Sequence, residues 1–242
     1  MQDIPLSQRV QKIKASPTLV VTARATELKA QGKDIISLSA GEPDFDTPEP
    51  IKEAAIAAIR AGDTKYTPVG GTPALKRAVM DKFTRENGLD YAPDQILVSV
   101  GAKQSFYNLV QALINPGDEV IIMAPYWVSY LDIVLLAEGV PVVISAGIDQ
   151  HFKVTPDQLS EAITSRTRLV IINSPSNPTG AVYSPAELRA LGEVLLNNPN
   201  VIVASDDIYE HILWTEEPFC NILNVCPDLY AQTVVLNGVS KA

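Results

Sequence analysis

An α/β sandwich built on a mostly parallel sheet is the fold class that this sequence predicts. Short apolar, β-branched runs alternate with amphipathic stretches of helical period. Prolines stand in the first turn of several of those stretches, where a helix tolerates them best. The polar, turn-rich motifs follow directly on apolar runs. Alternation of this kind gives three layers, with a mostly parallel sheet covered by helices on both faces. Ligands in such sheets sit at the carboxyl ends of the strands, which is where these polar motifs fall.

In chain order, residues 1–47 stand apart as a basic, irregular arm, a short helix at 19–31 and a loop at 39–48. Proline-started helical patterns follow at 48–61 and 72–87. The run ILVSV marks a strand at 95–100, and the small-residue turn after it opens a helix at 104–114. Strand 119–123, helix 127–136 and strand 140–145 continue the alternation. Helix 156–164 and strand 168–173 come next, then helix 185–196 and strand 201–205. The last strand, 232–237, empties into Gly238-Val239-Ser240-Lys241.

A chain of 242 residues with 46% hydrophobic content can bury a large core, as one large domain or two. Its net charge of −9 argues against nucleic acid and against anionic membrane as partners. Two cysteines, Cys220 and Cys226, are too few and wrongly spaced for a zinc site or a disulfide framework, so a reducing compartment is expected. The first residues lack the apolar core of a signal peptide, and no apolar run is long enough to span a bilayer. A soluble, cytoplasmic protein is the expectation.

Lys241 is the starting point for chemistry. A lysine delivered by a rigid strand to a small-residue turn suits Schiff-base chemistry, because burial lowers its pKa and frees the lone pair. Read alone, it is an ordinary exposed lysine; three upstream motifs change that. After ILVSV, Gly101-Ala102-Lys103-Gln104 opens a helix whose first N–H groups suit a phosphate. After LVIIN, residues 173–180 (NSPSNPTG) frame asparagines with prolines in a stiff loop that aims an amide into a cleft. After VIVAS, Asp206-Asp207-Ile208-Tyr209 sets a carboxylate at the sheet edge with a phenol one turn on, although Asp206 could also be a helix N-cap. Phosphate cradle, aimed amide, carboxylate with phenol, and amine together describe a pyridoxal phosphate site.

On these motifs the chain resembles the fold-type I pyridoxal phosphate enzymes, and within them the class I/II aminotransferases of the aspartate aminotransferase family. The matching stretches are AGEPDFDTP (40–48), KYTPVGGTPAL (65–75), VGAKQ (100–104), PYWVSY (125–130), NSPSNPTG (173–180), SDDIYE (205–210) and NGVSKA (237–242), in the family's order from end to end. The resemblance implies a three-layer αβα large domain plus part of a smaller α+β domain. The arm and the first segment of the small domain would occupy 1–47, and an incomplete large domain 48–242. Family members continue well beyond the lysine, so the chain is expected to be a fragment. The missing part would carry an arginine for the cofactor phosphate and another for the substrate α-carboxylate.

The resemblance also implies roles. Lys241 would hold pyridoxal 5'-phosphate as an aldimine and then move the substrate proton. Asp206 would pair with the pyridinium nitrogen, Asn177 and Tyr209 would bond the phenolate oxygen, and Trp127 would stack on the ring. Gly101 and Ala102 would offer N–H groups to the phosphate, and Tyr66 would reach the phosphate of the neighbouring subunit in a homodimer. Gly41, with Trp127 and Asn177, would meet the substrate. Gly238 stands where some relatives carry a phosphate-binding serine, which shifts weight to the helix N-terminus. Lys103 would meet the distal carboxylate of a dicarboxylic substrate, as in the bacterial aspartate and aspartate/prephenate subgroup, and Thr18 resembles a position linked to prephenate. The expected activity is ping-pong transfer of an amino group between aspartate, glutamate or prephenate and a 2-oxo acid such as 2-oxoglutarate. The alternatives are a carbon–sulfur lyase or alanine-type aminotransferase of the same fold, the effector domain of a transcription regulator, or an inactive fragment. No metal is implied, and His151 and His211 are read as structural.

Overall fold

The computed structural model describes residues 4–241; Met1 to Asp3 of the arm and Ala242 of the final motif lie outside the described residues. Its centre is a five-stranded, all-parallel sheet: β1 (Glu119–Ala124), β2 (Val140–Ser145), β3 (Thr167–Asn173), β4 (Ile202–Asp206) and β5 (Thr233–Leu236), in the order β2-β1-β3-β4-β5.

Successive side chains on a strand point to opposite faces, and two separate cores form accordingly. On one face Val120, Ile122, Leu169, Ile171, Ala204 and Leu236 pack against α5 (Gly101–Leu113) and α6 (Ser129–Leu136) through Phe106, Val110, Tyr130, Ile133 and Val134. On the other face Ile121, Val170, Ile172 and Val203 pack against α7 (Pro156–Ala162) and α8 (Pro185–Leu196) through Leu159, Leu188, Leu191 and Leu195. The same core takes in the short α9 (Ile222–Val225) through Ile222 and Leu223. The three layers are those the alternation predicts.

Helix starts follow their local chemistry. Thr155 and Ser184 each accept from the backbone N–H three residues on, while Gln158 and Glu187 reach back to the cap N–H, and proline stands at the first turn of both helices. The remaining helices, α1 (Gln8–Gln11), α2 (Pro17–Ala30), α3 (Glu49–Arg60) and α4 (Pro73–Lys82), bury no residue fully.

Two expectations need correction. The run at 95–100 is not a strand: Pro93–Gln95 form a 3-10 turn, and among the described residues its only backbone ladder bond runs from Val98 N–H to the Gly70 carbonyl. Its β-branched composition has no neighbouring strand among the described residues to pair with. The helix expected at 72–87 ends at Lys82 and passes into a π turn, Phe83–Asn87, closed by Gly88 in the left-handed region at φ 63°.

Register sets what the sheet can carry. Asn173 pairs with Asp206, and Asp206 with Leu236, so the carboxyl ends of β3, β4 and β5 lie in one row. The loops that begin at Ser174, Asp207 and Asn237 therefore leave the sheet side by side.

Candidate active site

Asp206, the last residue of β4, is 4% exposed. The Tyr130 hydroxyl donates to its Oδ2 at 2.5 Å, and the Ile208 N–H donates to Oδ1 at 3.3 Å. Burial pushes its carboxyl above the ordinary value, and those two donations draw it part of the way back. Among the described residues it has no ion pair. No helix begins at Asp206: the chain runs through turns from 208 to 211, which removes the N-cap alternative and puts Tyr209 on a turn rather than a helix.

Asn173 joins β3 to this point. Its Nδ2 donates to the Asp206 carbonyl and its Oδ1 accepts from the Asn177 N–H, both at 2.9 Å. That fixes the start of the 173–180 loop and aims Asn177, whose Nδ2 donates to the Tyr209 hydroxyl at 3.3 Å. Burial raises the Tyr209 phenol, the Asn177 donation lowers it, and the Asp206 charge raises it again, for a net rise. The expected pair at a phenolate oxygen is thus brought together.

α5 runs back toward the amino ends of the strands, so its first turn lies at the carboxyl edge. The Lys103 ammonium sits 5.2 Å from the centre of the Trp127 ring, and Trp127 meets Tyr130 edge-on at 5.3 Å. Lys103, Trp127, Tyr130 and Asp206 therefore form one continuous line of contacts. Gly101 departs from expectation: at φ 80° it gives its N–H to the Ser99 carbonyl at 2.9 Å. Ala102 and Lys103, whose N–H groups helix geometry leaves without an intrahelical partner, are better placed to meet an anion. A side chain at Gly238 would press on Ile208, with a Cβ 3.2 Å from its Cδ1, so a serine here would need Ile208 to shift.

Lys241 is half-buried, and its Nζ donates to the Gly41 carbonyl, which ties the last described residue to the 39–48 loop. Tyr66 is fully exposed and joins none of these residues. Thr18 lies in the first turn of α2, half-buried. Sequence reasoning overlooked Tyr130 and Asn173. Both stand in quoted motifs, but their partners lie 76 and 33 residues away.

Residues 33–242 match the model of the aminotransferase class I and II family. The aspartate/prephenate aminotransferase of Nitrosomonas europaea is 67% identical over 237 residues, 98% of this chain and 60% of that protein. The aspartate aminotransferase of Geobacillus stearothermophilus is 54% identical over the same length, again 60% of that protein. Among solved structures, the aspartate aminotransferase of Rhizobium meliloti superposes with a TM-score of 0.95 at 50% identity, covering 99% of this chain and 60% of that one. That of Thermus thermophilus with maleate gives 0.93 at 46% identity, covering 99% and 61%. The chain thus spans about 60% of the length of the relatives it matches.

Proposed function

The chain belongs to the class I and II aminotransferases, and on that premise we propose that the protein moves an amino group between a dicarboxylic amino acid and a 2-oxo acid with pyridoxal 5'-phosphate as cofactor. Aspartate is the favoured donor, with glutamate and prephenate-derived substrates behind it, and 2-oxoglutarate the favoured acceptor. The relatives' names support this choice.

One observation carries the reading. Asp206 is a buried carboxylate without a cationic partner among the described residues, level with Asn173 on β3 and flanked by the Asn177–Tyr209 pair. Leaving such a group without a counter-charge is costly. A protonated heterocyclic nitrogen supplies one, so the residues present fit the cofactor. Bound there, the cofactor contributes an electron sink for a carbanion next to nitrogen.

The protein's own groups do the rest. Lys241 would be the amine that holds the cofactor and, once released, the base that takes the proton from the substrate's Cα. Its contact with the Gly41 carbonyl keeps it near the loop expected to meet the substrate carboxylate. Asn177, which already donates to the Tyr209 hydroxyl, and Tyr209 would hold the cofactor's phenolate oxygen through their remaining polar hydrogens. The first turn of α5 would hold the phosphate through the Ala102 and Lys103 N–H groups, while the Lys103 side chain and Trp127 form a wall suited to a distal carboxylate. Tyr66, exposed and unengaged, suits a role in a second subunit, and we take the protein as a cytoplasmic homodimer. No helix among the described residues is long and apolar enough to cross a membrane.

The test is direct. The full-length protein should show a visible, borohydride-reducible chromophore whose label maps to Lys241, and should convert aspartate with 2-oxoglutarate. Lys241→Ala should lose the band once the cofactor is washed out. A reducible chromophore surviving in that variant sinks the assignment, and release of sulfide or ammonia in place of amino transfer would move the protein to the lyases.

A further inference from the structure

A second polar cluster lies behind the site, where α4 ends. Glu210, with a side chain 4% exposed, follows Tyr209 directly. Its Oε1 accepts from the Lys82 ammonium and from Asn237 Nδ2 at 2.9 Å, and its Oε2 accepts from Asn87 Nδ2 at 2.7 Å. Lys82 also donates to Asn87 Oδ1 at 2.7 Å and lies 3.6 Å from Glu86. His211 stands at the rim, 3.2 Å from Glu86 and 3.8 Å from Glu210. Burial pushes the Glu210 carboxyl up, but Lys82, Asn87 and Asn237 together outweigh it and hold the group below its ordinary value.

The Asn237 end of this network points toward the reactive amine. Asn237 follows β5, and while its Nδ2 is given to Glu210 its Oδ1 accepts from the Gly238 N–H at 2.7 Å. The amide is therefore committed at both ends and cannot turn over without losing both bonds. From Gly238 the chain has only Val239 and Ser240 before Lys241. The π turn is itself fixed, because Asn224 Nδ2 donates to the Asn87 carbonyl at 2.7 Å. α4, the Tyr209 turn and the turn that carries Lys241 thus meet at one carboxylate.

We propose that Glu210 is a positioning residue for Lys241, anchoring the 237–241 turn through Asn237 while Lys82 supplies its counter-charge. The proposal rests on Lys241 being the reactive amine. Charge-assisted bonds in a buried network are strong and geometrically exacting, and a half-satisfied network is worse than none. Glutamine cannot replace Glu210 quietly: one acceptor oxygen becomes an NH2 group facing a donor, and Lys82 loses its counter-charge.

Hydrogen exchange on the full-length protein without cofactor reads the anchor itself, and the pH midpoint of the chromophore in the loaded protein reads its consequence. Asn237→Ala and Glu210→Gln should each speed exchange in 237–241 by about tenfold while 202–206 keeps its wild-type rate. Both should also move the midpoint of the visible band by about half a pH unit or more. Pairing Lys82→Met with Glu210→Gln should recover part of the exchange protection, since it removes the stranded cation. Should Glu210→Gln fail to fold, Asn237→Ala decides, because it leaves Lys82, Asn87 and Glu210 intact. Wild-type exchange in 237–241 with an unmoved midpoint overturns the proposal, as does acceleration spread evenly over β4 and β5. A full-length protein with no reducible chromophore at all overturns the reading of Lys241 instead.

Discussion

The Tyr130 hydroxyl donates to Asp206 Oδ2 at 2.5 Å, across 76 residues of sequence and with both residues buried. Tyr130 comes from the first turns of α6 and Asp206 from the end of β4, so the bond joins one helical layer to the working edge of the sheet. Burial first, then the Asp206 charge, drives the phenol well above its ordinary value, so it stays protonated and donates to Asp206.

Tyr130→Phe should therefore raise the Asp206 pKa further, since the hydroxyl is the larger of the two donations that lower it. Removing one charge-assisted bond in a buried pair costs about 1.5–3 kcal/mol. Stability should fall by about that amount in denaturant titrations of the full-length protein, with turnover down about tenfold. Unchanged turnover at reduced stability would make Tyr130 a packing residue alone.

Asp206→Ala separates chemistry from folding. With no helix starting at Asp206 there is no cap to lose, so the fold should persist while turnover falls by a hundredfold or more, the usual order for losing a charge partner in the transition state. Melting temperature and kcat measured on the one variant check both halves. Activity within about tenfold of wild type would remove Asp206 from the cofactor's ring nitrogen.

The layers of this fold were legible because each strand's apolar run and the cap chemistry of helices such as α7 and α8 are local. Strand 140–145 and helix 185–196 appear with their predicted bounds. What failed was non-local. ILVSV has the composition of a strand but, among the described residues, no partner strand to make a ladder, and composition cannot supply one. The place of Asp206 at a strand end was legible from the run-then-turn pattern. The partners were not, since Tyr130, Asn173 and Lys82 meet Asp206 and Glu210 only through the topology. Gly101 shows a finer difference: it opens a helix as expected, but at its positive φ its N–H goes to the Ser99 carbonyl.

Asp207 predicts a pH dependence of stability. Fully enclosed, with Ser205 Oγ donating at 2.7 Å and Asn221 Nδ2 donating to its other oxygen, it is pushed by burial up to about 8 from an ordinary 3.8, against those donations. A folded pKa above the unfolded one means that the folded state binds more protons between the two values. The stabilisation is complete below pH 3.8 and lost as pH rises through about 8. Asp207→Asn cannot titrate. The difference in unfolding free energy between wild type and variant should therefore fall by up to about 1.4 kcal/mol per pH unit between about pH 5 and 7. A flat difference across that window would mean that Asp207 is ionised throughout.

Lys103 carries the substrate prediction. Its ammonium lies 5.2 Å from the centre of the Trp127 ring, at the first turn of α5 and at the carboxyl edge of the sheet. Trp127 thus limits where the long stem can go, and the charge is presented beside the Trp127–Tyr130–Asp206 line. Lys103 is exposed, and at the effective dielectric of a protein surface such a cation is worth a few kcal/mol to a carboxylate bound beside it, or about a hundredfold in specificity. The cation–π contact itself contributes only about 0.5–1 kcal/mol at an exposed site. Lys103→Ala should therefore lower kcat/KM for aspartate and glutamate by about a hundredfold and leave alanine nearly unchanged, with a small loss of stability. Lys103→Arg keeps the charge and should retain most of the preference. An equal loss for aspartate and alanine in Lys103→Ala would make Lys103 a support for Trp127, and the choice of a dicarboxylic substrate would lose its physical basis.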